Sequence, residues 1–148
     1  MSLHDEIITA LKKRGAVMLE DDSIANTFIE AIRDCPTDIP FFEQYGLVIV
    51  LFYDPAEQTV EKWQHCDGIA FRHFNKDGGK SVYSIGISTH AIERGKDYTC
   101  FIWLHEAAHV LRENVDVHDN RYHALLDVLI EAHNKTAGAS LVNDYQRD

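Results

Sequence analysis

Two histidines and a glutamate stand within five residues of one another, in the segment His105-Glu106-Ala107-Ala108-His109. On an α-helix, residues four positions apart lie on the same face, so both imidazoles can reach one metal ion. With nine His and ten Glu among 148 residues, chance alone produces this H-E-x-x-H pattern about 0.04 times. The pattern therefore predicts a metal site with His105 and His109 as ligands.

Zn²⁺ suits such a site, because it binds imidazole nitrogen well and tolerates an open fourth position for water. The metal lowers the pKa of that water toward neutrality and polarises a substrate carbonyl, which are the two requirements of amide hydrolysis. Glu106 follows the first ligand and can take a proton from the water. We therefore expect one zinc ion per chain, with Glu106 as the catalytic base.

Two histidines cannot hold a catalytic zinc, so a third ligand is required. The metzincin spacing H-E-x-x-H-x-x-G-x-x-H is absent, since residues 110–114 supply no glycine and no histidine follows three positions later. A fourth protein ligand would instead indicate a structural zinc. Spacing alone leaves the choice open among the downstream candidates His118, His123, Asp127, Glu131 and His133.

A downstream segment has a more informative pattern, because His118 is followed by an aromatic residue, Tyr122, and then by Leu125. This segment resembles the third-ligand segment of the small SprT-like and WLM-type metallopeptidases, the minigluzincin-like zincins. The resemblance covers about residues 81–130 and includes an Ile-rich strand before the motif. It implies a zincin-like metallopeptidase domain with His118 as third ligand. Glu131 is the main rival, since some zincins use a Glu from the following helix.

The remaining polar candidates have simpler interpretations. Tyr122 could stabilise an oxyanion, but its helical spacing with neighbouring leucines favours a core position. His123 and Asp127 could support a ligand by hydrogen bonding, although an exposed pair on a helix is favoured. We expect a turn without a second metal site at His65 and Cys66, surface positions for His4, His73, His90 and His133, and a packed thiol at Cys100.

The apolar spacing predicts the elements that position these residues. They are helices over 3–14 and 24–32, a buried strand over 47–52, a short helix capped by Asp54, strands over 69–74 and 81–88 joined by a turn at 75–79, and helices over 98–114 and 119–137. The helix over 98–114, with Asp97 as its N-cap, carries the motif and is apolar almost all round, so it should be central and buried. The order predicts an α+β domain with a small mixed sheet of about three strands.

The strand over 81–88 alternates apolar and small polar residues, so we expect one buried face. If that strand lies at a sheet edge, a substrate peptide could pair with it through main-chain hydrogen bonds.

Composition limits the classes of function. A chain of 148 residues with 45% hydrophobic residues predicts one globular domain over 1–148. Its net charge of −10 disfavours general binding to nucleic acid or anionic membranes. The apolar runs are too short to span a bilayer, and the first residues lack the pattern of a signal peptide. Three scattered cysteines indicate reduced thiols, and we expect a cytoplasmic protein.

Two functions follow from these residues. The favoured one is a zinc metallopeptidase, a hydrolase acting on peptides or unfolded proteins. The alternative is a non-catalytic binding module with a structural zinc on the same scaffold. Three ligands together with Glu106 favour the enzyme, because a structural zinc normally fills all four positions with protein groups.

Overall fold

The computed structural model describes residues 2–36, 47–73, 82–112, 115 and 117–143. In this part of the chain, six α-helices and a three-stranded mixed sheet form an α+β fold, as the sequence predicts. The elements are α1 (Leu3–Lys13), α2 (Asp22–Ala31), β1 (Leu47–Tyr53), a 3₁₀ turn (Pro55–Glu57), α3 (Glu61–His65), β2 (Gly68–His73), β3 (Val82–Ser88), α4 (Thr89–Glu93), α5 (Lys96–Leu111) and α6 (Asn120–Ala137). The predicted turn over 75–79 lies outside the described residues.

The sheet has the order β1-β3-β2, with β1 parallel and β2 antiparallel to β3. Ile85 at the middle of β3 pairs with Val50 on one side and Ala70 on the other. All seven residues of β3 are buried. The prediction of a single buried face is therefore wrong, and β3 is not an edge at which a peptide could add.

Both faces of the sheet are buried because a hydrophobic cluster covers each of them. Alternate residues of β1 divide between the two clusters: Phe52 packs with Phe28 and Trp103 on one side, whereas Tyr53 packs with Trp63 on the other. Helices α2, α5 and α6 supply the first cluster, and α1 and α3 supply the second. Burying each large apolar side chain stabilises the fold by about 1.5–3 kcal/mol.

Helix α5 lies in the first cluster and is buried at nearly every position from Thr99 to Val110. This confirms the prediction of a central helix. Its start differs from the prediction, because Gly95 with φ of 104° is the N-cap and Asp97 lies in the first turn. An acidic residue also stabilises the first turn through the helix dipole, so Asp97 alone does not fix the boundary.

Helix α6 begins and ends as the sequence predicts. Asp119 caps its N-terminus by accepting a hydrogen bond from the backbone N–H of Tyr122, and Gly138 ends it in the left-handed conformation. The short helices α3 and α4 were not predicted, because five residues are too few to show helical periodicity. Within the described residues, no helix has the length and apolar content needed to cross a membrane.

Candidate metal centre

Three histidines converge at the side of α5 that faces the start of β2. His105 and His109 come from α5, and His118 comes from the segment just before α6. One ring nitrogen of each lies within 4.8 Å of the others, and the Nε2 atoms of His109 and His118 are 2.8 Å apart. His105 and His109 are buried, whereas His118 is half-buried. The structure thus brings together the three side chains that the sequence singled out as ligands.

The segment that carries His118 is held between the two long helices by Asp119. This carboxylate accepts a hydrogen bond from the backbone N–H of Tyr122 at 2.9 Å and from the Arg112 guanidinium, just beyond α5, at 2.9 Å. These two bonds favour the ionised form and lower the pKa of Asp119, the backbone bond more strongly. The cap of α6 therefore also fixes the position of His118 relative to α5.

Tyr122 packs against all three histidine rings, with its ring centroid 5.5 Å from that of His105, 4.5 Å from His109 and 4.9 Å from His118. Its hydroxyl donates a hydrogen bond to the backbone carbonyl of His105 at 2.7 Å. The side chain is only 1% exposed. Tyr122 is therefore a core residue that supports the three histidine rings, and its geometry does not favour a direct role at an oxyanion.

Glu106 lies beside the histidines and is itself buried, with Oε1 3.2 Å from Nδ1 of His105. A cleft of about 370 Å³ opens over this group. Its wall includes the three histidines, Glu106 and, from the opposite side, the first residues of β2, Gly68, Ile69 and Ala70. A carboxylate and three imidazoles thus line the same space, which can admit a ligand.

Gly68 is a site residue that the sequence analysis missed. A Cβ atom at this position would lie 2.7 Å from Cγ2 of Ile102 and 2.9 Å from Cγ of Glu106. Only glycine therefore lets β2 approach α5 closely enough to form the wall of the cleft. A glycine at a strand start is the sole sequence sign of this contact, and it does not reveal which helix lies opposite.

We expect Gly68→Ala to push β2 away from Glu106. Overpacking of this kind costs about 1–3 kcal/mol of unfolding free energy. If the hydrolysis that the sequence predicts takes place in this cleft, a displaced wall should lower its kcat/KM about tenfold or more. Gly86→Ala is the matched control, because its Cβ would instead meet the ring of Tyr53 at 3.3 Å. Urea unfolding and kinetics of both variants check the prediction. Equal losses of kcat/KM in both variants would contradict it.

Asp67 precedes Gly68 and ties the start of β2 to its neighbours. It accepts hydrogen bonds from Ser88 Oγ at 3.0 Å and from the hydroxyl of Tyr98 in the first turn of α5. Burial and the bond to Asp67 raise the pKa of Tyr98 to about 12, so its hydroxyl stays protonated and donates. The guanidinium of Arg94 lies 3.6 Å from the centre of the Tyr98 ring. This network holds the entrance wall of the cleft in place.

The other ligand candidates lie outside this group of histidines. Glu131 is on the outer face of α6, where its side chain is 73% exposed and lies 3.9 Å from Lys135. Asp127 is exposed and accepts a hydrogen bond from Asn143. In the described part of the chain, neither carboxylate belongs to a group that could hold a metal with the α5 histidines.

Two predictions about histidine exposure are wrong. His123 and His133 are each only 1% exposed, although surface positions were expected. Together with Leu126 and Ile130 they form one stripe at helical spacing on α6, and this stripe faces the core. Because these two residues are polar, the sequence suggested a solvent-exposed face of the helix, although their positions belong to its buried face.

The remaining predictions about histidines and cysteines have mixed outcomes. His4 and His90 are exposed as predicted, whereas His73 is half-buried beside Ser84 Oγ, and burial lowers its pKa. His65 ends α3, and both His65 and Cys66 lie in the wall of the cleft rather than in an isolated turn. Cys100 is fully buried, as expected of a packed thiol.

Comparison with known proteins gives no match: no family model, curated protein or solved structure is similar to this chain. The interpretation of the site therefore depends on its own chemistry. Three imidazole nitrogens are a donor set that zinc accepts readily. The residues present fit that metal.

Proposed function

We propose that this protein is a zinc-dependent metallopeptidase that hydrolyses peptide bonds with Glu106 as general base. The observation that carries the proposal is the placement of three histidine nitrogens within 4.8 Å of one another in a cleft that also contains Glu106. His105, His109 and His118 would hold one zinc ion. When bound, zinc lowers the pKa of a coordinated water and polarises the scissile carbonyl.

Glu106 moves the protons of this reaction. Its carboxylate accepts a proton from the attacking water and then delivers it to the nitrogen of the leaving amine. Burial of Glu106 keeps bulk water away from the carboxylate, which strengthens its electrostatic interactions. Tyr122 contributes by fixing the histidine rings and the backbone of α5.

The alternative, a binding module with a structural zinc, is less well supported. Among the described residues, the group around His105 contains three donors and no fourth protein ligand. The cleft beside these donors leaves space for water and a substrate carbonyl. Both features are typical of catalytic rather than structural zinc sites.

Strand β2 is the sheet element best placed to bind a substrate chain. In the described part of the chain it pairs with β3 alone, so its other side is an edge, and Gly68 to Ala70 line the cleft next to Glu106. An extended peptide could pair with this edge through main-chain hydrogen bonds, with little demand on its side chains. We therefore infer a preference for unfolded or flexible protein segments.

We also propose a relationship to the SprT-like and WLM-type zincins, and the order of the elements supports it. A strand, the H-E-x-x-H helix and a third histidine ahead of the next helix follow one another in an α+β fold. The net charge of −10 argues against general nucleic-acid binding. We propose that the protein acts in the cytoplasm on polypeptide substrates.

Zinc binding tests the proposal without any choice of substrate. Zinc at 100 times the Kd should stabilise the protein by about 2.7 kcal/mol, seen as a higher Tm. The double variant His105→Ala/His109→Ala should lose about one zinc per chain in elemental analysis. His90→Ala, which removes an exposed histidine, is the control and should lose none. If wild type and the double variant hold the same amount of zinc, the proposed site does not exist.

A further inference from the structure

A second group of metal-binding side chains lies where three helical regions meet, away from the cleft. Cys35 follows the end of α2, Cys100 lies near the start of α5, and His133 lies in the second half of α6. Their ligand atoms are all within 4.8 Å of one another, and all three residues are buried. We propose that Cys35, Cys100 and His133 form a second zinc site, buried among the helices and separate from the cleft.

The donor set fits zinc chemically. Thiolate sulfur and imidazole nitrogen are the two donor types that zinc most often binds in proteins. Two thiolate charges balance the charge of Zn²⁺ when the imidazole is neutral, so the complex can be buried without a net charge.

The burial of the His133 imidazole points to a metal ligand rather than to ordinary packing. A buried cysteine commonly behaves as a small apolar side chain, but a buried imidazole requires partners for its nitrogens. Among the described residues, Nδ1 of His133 has no hydrogen-bond partner, although the side chain is 1% exposed. The ring also forms a hydrogen bond with the backbone at Asp34. Ligand histidines are commonly oriented by such backbone bonds.

The two thiols already interact in the structure. Sγ of Cys100 donates to the carbonyl of Ala31 at 2.8 Å. The sulfur atoms of Cys35 and Cys100 also form a hydrogen bond with each other. Both sulfur atoms therefore face the same small space as the ring of His133.

An ion at this position would join parts of the chain that are far apart in sequence. It would hold the end of α2 against α5 and α6, and α5 carries His105 and Glu106 further along the same helix. A surface pocket lined by Ala31, Lys96 and Thr99 lies at the same junction of α2 and α5. The site would stabilise the scaffold of the cleft without contacting substrate.

Cobalt substitution separates this site from the histidine site, because only thiolate ligands give an intense sulfur-to-cobalt charge-transfer band in the near ultraviolet. The full chain is prepared anaerobically with a reductant, loaded with Co²⁺ and analysed for metal. We expect about two ions per chain and the charge-transfer band. His105→Ala/His109→Ala should keep the band and lose about one ion. Cys100→Ser should lose the band and one ion, whereas Cys66→Ser, which removes the third thiol, should keep both.

A second measurement needs no variant, in case Cys100→Ser does not fold. Zinc-edge X-ray absorption of the wild type loaded with excess zinc should show sulfur as well as nitrogen scatterers. Nitrogen and oxygen scatterers alone, or the absence of the cobalt band in the wild type, would overturn the proposal. So would mass spectrometry showing a Cys35–Cys100 disulfide in metal-loaded protein. Loss of the band in His105→Ala/His109→Ala would equally overturn it, since the thiolates would then belong to no separate site.

Discussion

Glu106→Gln is expected to slow hydrolysis of an unfolded, casein-like substrate by about 10²-fold or more, the usual scale for a lost general base. The substitution keeps the size of the side chain but removes its ability to accept a proton. Zinc content and Tm should remain at wild-type values, because the three histidines and not Glu106 hold the metal in the proposed site. Initial rates of the zinc-loaded variant and wild type, each with and without a chelator, measure the effect.

Glu131→Gln is the matched control for this prediction. Its carboxylate lies on the exposed face of α6 next to Lys135, so its removal should leave the rate unchanged. Cleavage that continues in Glu106→Gln, or that survives removal of zinc, would rule out the mechanism. If the wild type cleaves no polypeptide at all, the binding-module alternative becomes the better account.

His118→Ala is expected to weaken zinc binding at the cleft by more than about 100-fold. Loss of a residue that only supports a ligand typically costs 10–100-fold in metal affinity, and loss of a ligand should cost more. The Nε2 atom of His118 lies 2.8 Å from that of His109, so its imidazole can share an ion with the α5 pair. Competition with a chromophoric chelator gives the affinities.

Two further variants distinguish His118 from its rivals. Glu131→Ala should bind zinc as the wild type does, because this carboxylate is exposed and distant from the group of histidines. His123→Ala should weaken binding less than His118→Ala. Wild-type affinity in His118→Ala together with a loss in Glu131→Ala would show that the wrong third ligand was chosen from the resemblance to zincins.

Local patterns explain why the centre of the site could be predicted from the sequence. Helix α5 is long and apolar on nearly all sides, so its burial follows from composition alone. The four-residue spacing of His105 and His109 places both rings on one face of any helix. Asp119 and Gly138 are residue types that begin and end helices, and α6 has those bounds.

Long-range pairing explains what the sequence could not reveal. The alternation in β3 indicates a strand, but the position of β3 between β1 and β2 depends on contacts with distant segments. The close approach of Gly68 to Glu106 depends in the same way on how β2 packs against α5. The strand over 81–88 is therefore not the sheet edge that peptide pairing there would require.

The buried group of Cys35, Cys100 and His133 escaped detection for a related reason. These residues form no short motif, and each separately resembles a packed thiol or a surface histidine. The burial of His133 could have been inferred from its helical spacing with Leu126 and Ile130 on α6. Its proximity to the two thiols depends on the packing of α2 and α6 around α5.

Anomalous diffraction at the zinc edge, from crystals of the zinc-loaded full chain, tests the central claim most directly. The proposal predicts a peak in the cleft with nitrogen atoms of His105, His109 and His118 at about 2.0–2.1 Å. No fourth protein ligand should be bound, and Glu106 should face the remaining position. A cleft without a peak, or a zinc ion whose four ligands are all protein side chains, would contradict the claim that this site is a catalytic zinc centre.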